Sequence, residues 1–576
     1  MTPPTDPAAV RPTVSGRDAS GAFATVLGEA RALHAKGADR DALAALDRAL
    51  PSVGASAESS CLRGNILLRL ERFAEALASY DEAVALNPGY AEAHYNRGNG
   101  LQRLGRFDEA VTSYDRVLAV LPRHPGALNN RGTALAAVGR LDAALASFDM
   151  ALAARSDYAD ALNNRADVLL RLKRYDQALA AYDRVRALGA ETADTLVNRG
   201  NVLHELGRHR DALACYDRAL ARRPDHAATF NNRGAALQDL RRYDDALASY
   251  RRAIELEPGY PEARYNDGVC RLLLGDLERG WPEFEWRWKT AAVAEYNLPF
   301  GRPLWLGAEP IAGKRLLLHP EFGFGDTLQF CRYAGVAAEQ GAQVILQVQP
   351  ALKSLLAGMT GIEVIARGEP LPDHDFHTPL LSLPLAFGTR LHTIPAAVPY
   401  VNASPAMIAK WERRLGPRTV PRIGIVWSGN PRQANDHNRS SRLAKLRPLL
   451  RADARFVVLQ TELRPEDRAV LAEHPEIAHF EGEFTDFADT SGLVAAMDLV
   501  ISVDTSVAHL AGAMGRPLWI MLAQVPDWRW LLGREDCPWY PTSRLFRQSA
   551  AGDWEGVVRR VARELDGFLK RHESAG

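Results

Sequence analysis

Cysteine is scarce in this chain of 576 residues: Cys61, Cys215, Cys270, Cys331 and Cys537 are widely spaced. That spacing excludes a zinc-ligand cluster and a dense disulfide framework, so all five are expected to be reduced thiols. A charge excess is missing too, since Lys plus Arg and Asp plus Glu each total 70, and no general attraction to nucleic acid or anionic lipid follows. Nowhere is there the run of about 18 apolar residues that a bilayer span needs. The opening MTPPTDPAAVRPTVSG lacks a basic flank followed by an apolar core, so a cytoplasmic location is expected. Two nucleotide and hydrolase signatures are absent as well: the Gly-x-x-x-x-Gly-Lys-Ser/Thr loop and the Gly-x-Ser-x-Gly elbow. Apolar residues at 47% and charged residues at 24% are instead the mixture of a globular protein, and the length suggests about three to five structural units.

A 34-residue period runs through the first half of the chain. Arg63, Arg97, Arg131, Arg165, Arg199 and Arg233 mark it, each followed by a small residue (Gly64, Gly98, Gly132, Ala166, Gly200, Gly234). Ala76, Ala110, Ala144, Ala178, Ala212 and Ala246 each precede by four positions an aromatic: Tyr80, Tyr114, Phe148, Tyr182, Tyr216 and Tyr250. Pro88, Pro122, Pro224 and Pro258 close their repeats, where a missing amide N–H stops a helix. Across residues 57–260 this pattern resembles the tetratricopeptide repeat, a helical hairpin that stacks into a solenoid. Residues 23–56 keep the spacing more weakly, as a capping repeat would, and 261–294 begin as a repeat before turning into GWPEFEWRWK. The period-marking arginine replaces the family's aliphatic residue; its stem is expected to pack while its head reaches water or an acidic neighbour.

One position before each arginine from Arg97 onward stands an asparagine: Asn96, Asn130, Asn164, Asn198 and Asn232, continued by Asn266. Such a ladder of amides lines a concave groove and could hold the backbone of an extended peptide; equally, it could bond neighbouring helices and stabilise the stack. Trp281, Phe284, Trp286 and Trp288, with Trp305 nearby, fall where the array meets the next domain, and are read as a rigid interdomain interface.

After about residue 310 short aliphatic runs alternate with helical segments: RLLLH, QVILQV and IEVIA, then RIGIV, RFVVLQ, DLVISV and PLWIML. This is the rhythm of parallel α/β structure, and the two series predict two Rossmann-like domains facing across a cleft. The expected organisation is a tail (1–22), a repeat array (23–294), a first Rossmann-like domain (295–415) and a second with a C-terminal helix (416–576).

Ligands of open α/β sheets bind at the carboxyl ends of the strands, which singles out three loops. In HPEFGFGDTLQF, Gly323 and Gly325 are expected to permit tight turns, with Asp326 as a helix N-cap, a catalytic base, or both. In the loop after RIGIV, Trp427, Ser428, Gly429 and Asn430 bring backbone and small polar groups, while Arg432, Arg439 and Lys445 bring positive charge. In DLVISVDTSVAHLAG, Asp504, Thr505 and Ser506 lead into a helix whose N-terminus suits a diphosphate, with His509 one turn on. Asp373, His374 and Asp375 have metal-ligand chemistry but sit in a proline-flanked loop, and no metal is expected.

These loops, within roughly residues 313–545, resemble those of the bacterial lipopolysaccharide heptosyltransferases. The resemblance implies a GT-B fold and inverting, metal-independent sugar transfer, with Asp326 as general base and Arg439 against the donor diphosphate. It also implies donor contacts from Asp504, Thr505, Ser506 and His509, although Ser506 replaces a usual glycine. An array joined to such a module is similar to protein glycosyltransferases carrying tetratricopeptide repeats, such as O-linked N-acetylglucosamine transferase and flagellin-modifying enzymes. The function so implied is transfer from a nucleotide sugar, without further cofactor, to a protein acceptor in the groove. A glycan or lipid-linked acceptor, and a binding scaffold with an inactive transferase module, are the other readings.

Overall fold

The structure, a computed structural model, describes residues 16–293, 300–431, 433 and 435–573. The chain divides into two compact units, 1–224 and 225–576. The first is a run of antiparallel helix pairs from Gly16–Ala35 to His209–Arg222. Its first helix begins at Gly16, inside the span expected as a tail, while residues 1–15 lie outside the described residues.

Hairpin packing follows from the small-then-aromatic lock. A Cβ on Gly98 would stand 2.6 Å from Cε1 of Tyr114, so the ring of the second helix rests directly on the backbone of the first. Ala166 opposite Tyr182 shows that one repeat accommodates a methyl group there, with both residues still buried. The period-marking arginines do reach acidic neighbours. Arg97 Nε donates to Asp81 at 2.6 Å and Nη1 to Ser113 Oγ at 2.7 Å, and Arg131 repeats both bonds with Asp115 and Ser147. Each guanidinium therefore ties two helix pairs together.

The second unit opens with two more hairpins, Ala227–Asp239 with Tyr243–Leu256 and Pro261–Leu274 with Leu277–Phe284. The array expected over 23–294 is thus shared between the units, because the last hairpin is built into the α/β half. Trp281 donates from Nε1 to the Thr389 carbonyl at 2.9 Å, and its ring meets that of Trp528 edge-on at 5.3 Å. Phe284 packs on the same Trp528 ring at 5.7 Å. Of the aromatic cluster, Trp281 and Phe284 thus pack on the α/β half, whereas Trp286 meets Arg264 and Lys289 of its own neighbourhood; residues 294–299 lie outside the described residues.

Two all-parallel sheets follow. The first has order β3-β2-β1-β4, from β1 (Arg315–His319), β2 (Gln343–Val348), β3 (Ile362–Ala366) and β4 (Phe376–Pro379). The second has order β6-β5-β7-β8-β9, from β5 (Arg422–Val426), β6 (Arg455–Val458), β7 (Leu499–Val503), β8 (Leu518–Leu522) and β9 (Ser543–Arg547). The expected border at 415–416 falls too late. Helix Pro405–Leu415 packs on Phe487–Ala495 in the second half: Trp411 Nε1 donates to the Asp489 carbonyl at 2.9 Å, and Gly492 admits the Met407 backbone. Among the described residues no helix is long and apolar enough to cross a membrane, and the five cysteines are buried and unpaired.

Candidate functional site

The carboxyl ends of β1, β7 and β8 carry loops whose acids, Asp326, Asp504 and Asp527, surround the guanidinium of Arg529, and the loop after β5 joins them through Arg439 and Asp504. The loop after β1 is anchored first. Glu321 is fully buried and accepts from Arg287 Nε at 2.8 Å and Nη2 at 3.0 Å, as well as from the Leu381 amide at 3.0 Å. Arg287 stands in the short 3-10 helix Glu285–Lys289 that ends the array. Beyond Glu321, helix Phe324–Phe330 begins with Gly323 as its N-cap. Asp326 is therefore the third helical residue and not the expected N-cap; its Oδ2 accepts from the Gly323 amide at 2.9 Å.

Nor do the two glycines serve tight turns. Gly323 has φ −79°, which any residue adopts. Gly325 is needed for a close approach: a Cβ there would lie 2.7 Å from Cδ2 of His509, in the other half of the module. Asp326 Oδ1 accepts from Nη2 of Arg529. Burial raises the Asp326 carboxyl above the usual range; Arg529 opposes this and Asp527 adds to it.

In the loop after β5 the side chains divide. Trp427 is fully buried, its Nε1 donating to Asp467 at 2.9 Å within the core of the second half, so its ring faces away from the expected donor site. Gly429 lies beneath the Arg439 guanidinium, where a Cβ would come within 2.6 Å of Nη2. Its amide donates to Ser440 Oγ at 2.9 Å. Arg439 Nη1 donates to the Asp504 carbonyl at 3.2 Å, which joins this loop to the one after β7, while its buried Nε has no hydrogen-bond partner. Asn430 is exposed at the loop's edge, Lys445 lies in the short helix Leu443–Leu446, and Arg432 is outside the described residues.

After β7, Thr505 is the N-cap of helix Ser506–Ala513, and its hydroxyl turns back to Ser502 Oγ at 3.1 Å. No side chain caps that helix start, which leaves Ser506 and the first amides facing the loops. Asp504 Oδ1 is 3.7 Å from Nε2 of buried His509. Burial and the neighbouring charge of Asp527 push the Asp504 carboxyl up to about 6. His509 is held at Nδ1 by the Tyr540 hydroxyl at 2.9 Å and stacked on Trp530 at 5.3 Å. Burial, with Arg529, Arg332 and Arg439 nearby, keeps its ring neutral well below the ordinary range.

The loop after β8 escaped sequence reasoning. In its turn Trp528–Trp530, Arg529 is buried, with Nη1 donating to Asp527 at 2.9 Å and the guanidinium 4.3 Å from the Trp528 ring centre. The signal was available: PDWRW follows PLWIML at a strand's carboxyl end, under the rule that selected the other three loops. The structure thus brings together Asp326, Gly429, Arg439, Asp504, Thr505, Ser506 and His509, and leaves the Trp427 ring outside.

The asparagine ladder is spent largely on the stack. Asn96 Nδ2 donates to Asn65 at 2.8 Å, Asn130 to Asn99 at 2.9 Å, Asn164 to Asn129 at 3.0 Å and Asn198 to Asp167 at 2.9 Å. In the second unit Asn266 Nδ2 donates to Asn231 at 2.9 Å, and Asn231 Nδ2 to Asn232 Oδ1 at 3.2 Å. In the loop expected to hold no metal, Asp373 pairs with Arg302, Asp375 accepts from the Arg315 amide and His374 bonds the Pro372 carbonyl, three separate directions.

Tetratricopeptide repeat family models match residues 64–105, 95–159, 157–224 and 191–259. Among curated proteins, Protein FlbA of Caulobacter vibrioides is 28% identical over 326 residues, 52% of this chain and 54% of FlbA. The chain so spans about half the length of that relative. Among solved structures, YrrB, a TPR protein with an unusual peptide-binding site, aligns with 32% of this chain and 94% of its own, at 22% identity and TM-score 0.28. A tetratricopeptide repeat protein from Parabacteroides merdae aligns with 43% of this chain and 99% of its own, at 18% identity and TM-score 0.35.

Proposed function

We propose that the α/β half transfers a sugar from a nucleoside diphosphate to a hydroxyl of a protein recruited by the repeats. The observation that carries this reading is the convergence of a carboxylate from one parallel sheet, Asp326, with a phosphate-suited pair from the other. That pair is the start of helix Ser506–Ala513 and the Arg439 guanidinium bridging to Asp504. In the proposed step the acceptor oxygen attacks the anomeric carbon opposite the diphosphate. The new C–O bond forms as the bond to the phosphate oxygen breaks. The hydroxyl proton passes to Asp326, and the bonding pair leaves on the diphosphate, where Arg439 and the helix amides offset the charge. A two-sheet GT-B arrangement is part of the same reading. For the repeats, the family matches support a protein or peptide partner.

Differential scanning fluorimetry with a panel of nucleotide sugars and their diphosphates tests the donor. A ligand at 100 times its Kd adds about 2.7 kcal/mol to the state it binds. A clear shift with one base, followed by transfer that Asp326→Asn abolishes, is the expected result; no shift with any member, or transfer surviving the substitution, overturns the reading.

A further inference from the structure

Asp326 has both carboxylate oxygens engaged, Oδ2 by the Gly323 amide and Oδ1 by Arg529, which is a poor posture for a base that must take up a proton. Arg529, in turn, has donors to spare. Its Nη1 is held by Asp527 at 2.9 Å, in the same turn, but its buried Nε–H has no hydrogen-bond partner; Arg439 Nε makes no hydrogen bond either, its acidic neighbour being Asp436 Oδ1 at 3.7 Å. A buried guanidinium N–H without a hydrogen bond, as at Arg529 Nε, is costly unless an anion uses it. The surrounding charges are Asp326 after β1, Asp504 after β7, Asp527 beside Arg529 itself, and Arg439 after β5. The neutral ring of His509 lies among Arg529, Arg332 and Arg439, and Tyr265 of the last hairpin lies within reach of Asp527, Arg529, Asp326 and Arg287.

We infer that Arg529 is part of the diphosphate site and exchanges partners there: with Asp527 as pivot, its guanidinium passes from Asp326 to the phosphate oxygens, and Asp326 becomes free as the donor is seated. This rests on the donor reading above. A diphosphate carries more charge than a carboxylate and matches the planar fork of a guanidinium, so the exchange is downhill for Arg529. For Asp326 the sign is opposite. Losing its cation in a buried site raises its proton affinity, so seating the diphosphate draws a proton onto Asp326 in weakly acidic solution. Arg529 is a binding and positioning residue; donor seating and base release are then one event.

Isothermal titration of the full chain with five nucleoside diphosphates (of uridine, guanosine, adenosine, cytidine and thymidine) and inorganic pyrophosphate tests this, each in two buffers of unlike ionisation enthalpy near pH 6. Proton uptake on binding is expected to be larger for the wild type than for Asp326→Asn, with Asp504→Asn separating the second carboxylate. Arg529→Gln is expected to weaken binding about tenfold or more, as loss of a charge-assisted bond does, while Arg529→Lys retains most of the affinity. Uptake equal in wild type and Asp326→Asn, or affinity untouched by Arg529→Gln, overturns the exchange and leaves the donor reading standing. Absence of binding by all six probes overturns both. The wild-type and Asp326→Asn comparison decides the matter even if the Arg529 variants fail to fold.

Discussion

Gly325 and His509 touch across the two halves of the α/β module: a methyl group on the glycine would lie 2.7 Å from the imidazole Cδ2. His509 cannot give way easily, being held by Tyr540 and stacked on Trp530. In an open helix Gly→Ala gains about 1 kcal/mol from propensity, whereas overpacking a filled site costs about 1–3 kcal/mol. Gly325→Ala is therefore expected to destabilise the module by up to about 2 kcal/mol despite the propensity gain. Urea unfolding followed through tryptophan fluorescence reads this; a stabilised variant would show that the halves separate freely at this point.

Asn130 separates the two roles open to the amide ladder. Its Nδ2 donates to Asn99 at 2.9 Å and to the Tyr95 hydroxyl at 3.2 Å, so Asn130→Ala leaves two half-buried acceptors with a bond fewer. The expected cost is about 1–2 kcal/mol of array stability, measured by thermal unfolding of the repeats. An unchanged melting profile would mean that these bonds contribute nothing and that the ladder is kept for a ligand.

What the sequence made legible follows from which interactions are local. The repeat period, the arginine heads seeking acids, and seven of the strands are set by patterns within a few dozen residues. β4 and β9 were not foreseen because FHTP and SRLFR are edge strands without the aliphatic runs of their neighbours. Trp427 follows a strand and so looked poised at its carboxyl end; which way a large ring turns is decided by tertiary packing, here by Asp467. Arg529 pairs with a residue 203 positions away, a distance over which no spacing rule operates.

The fully buried pair Arg287–Glu321 ties the end of the array to the loop that carries Asp326. Removing one member leaves a charge in the core, which costs about 3–5 kcal/mol, whereas replacing both by apolar groups of like volume is often near neutral. Arg287→Met alone is expected to unfold the module at markedly lower denaturant. Glu321→Leu added to it should recover part of the loss, the remainder being due to Glu285, which also accepts from Arg287 at 2.6 Å. Equal damage from single and double variants would indicate that the pair's shape matters more than its charge.

Asp504 sets a pH dependence whose sign is fixed. Its carboxyl is pushed up to about 6 in the folded chain, chiefly by burial. The unfolded chain titrates near the ordinary value of about 4, so between these limits the folded state binds the extra proton. Stability from the protonated form is therefore present at about pH 4 and is lost as pH rises through about 6, by up to about 3 kcal/mol if the full shift is realised. Asp504→Asn, which cannot ionise, should flatten that slope and exceed the wild type in stability at pH 7 while matching it more closely near pH 4. Denaturant midpoints at half-unit steps across this window are the measurement. A wild-type slope of the opposite sign that persists in the variant would place the dominant titration elsewhere in the module.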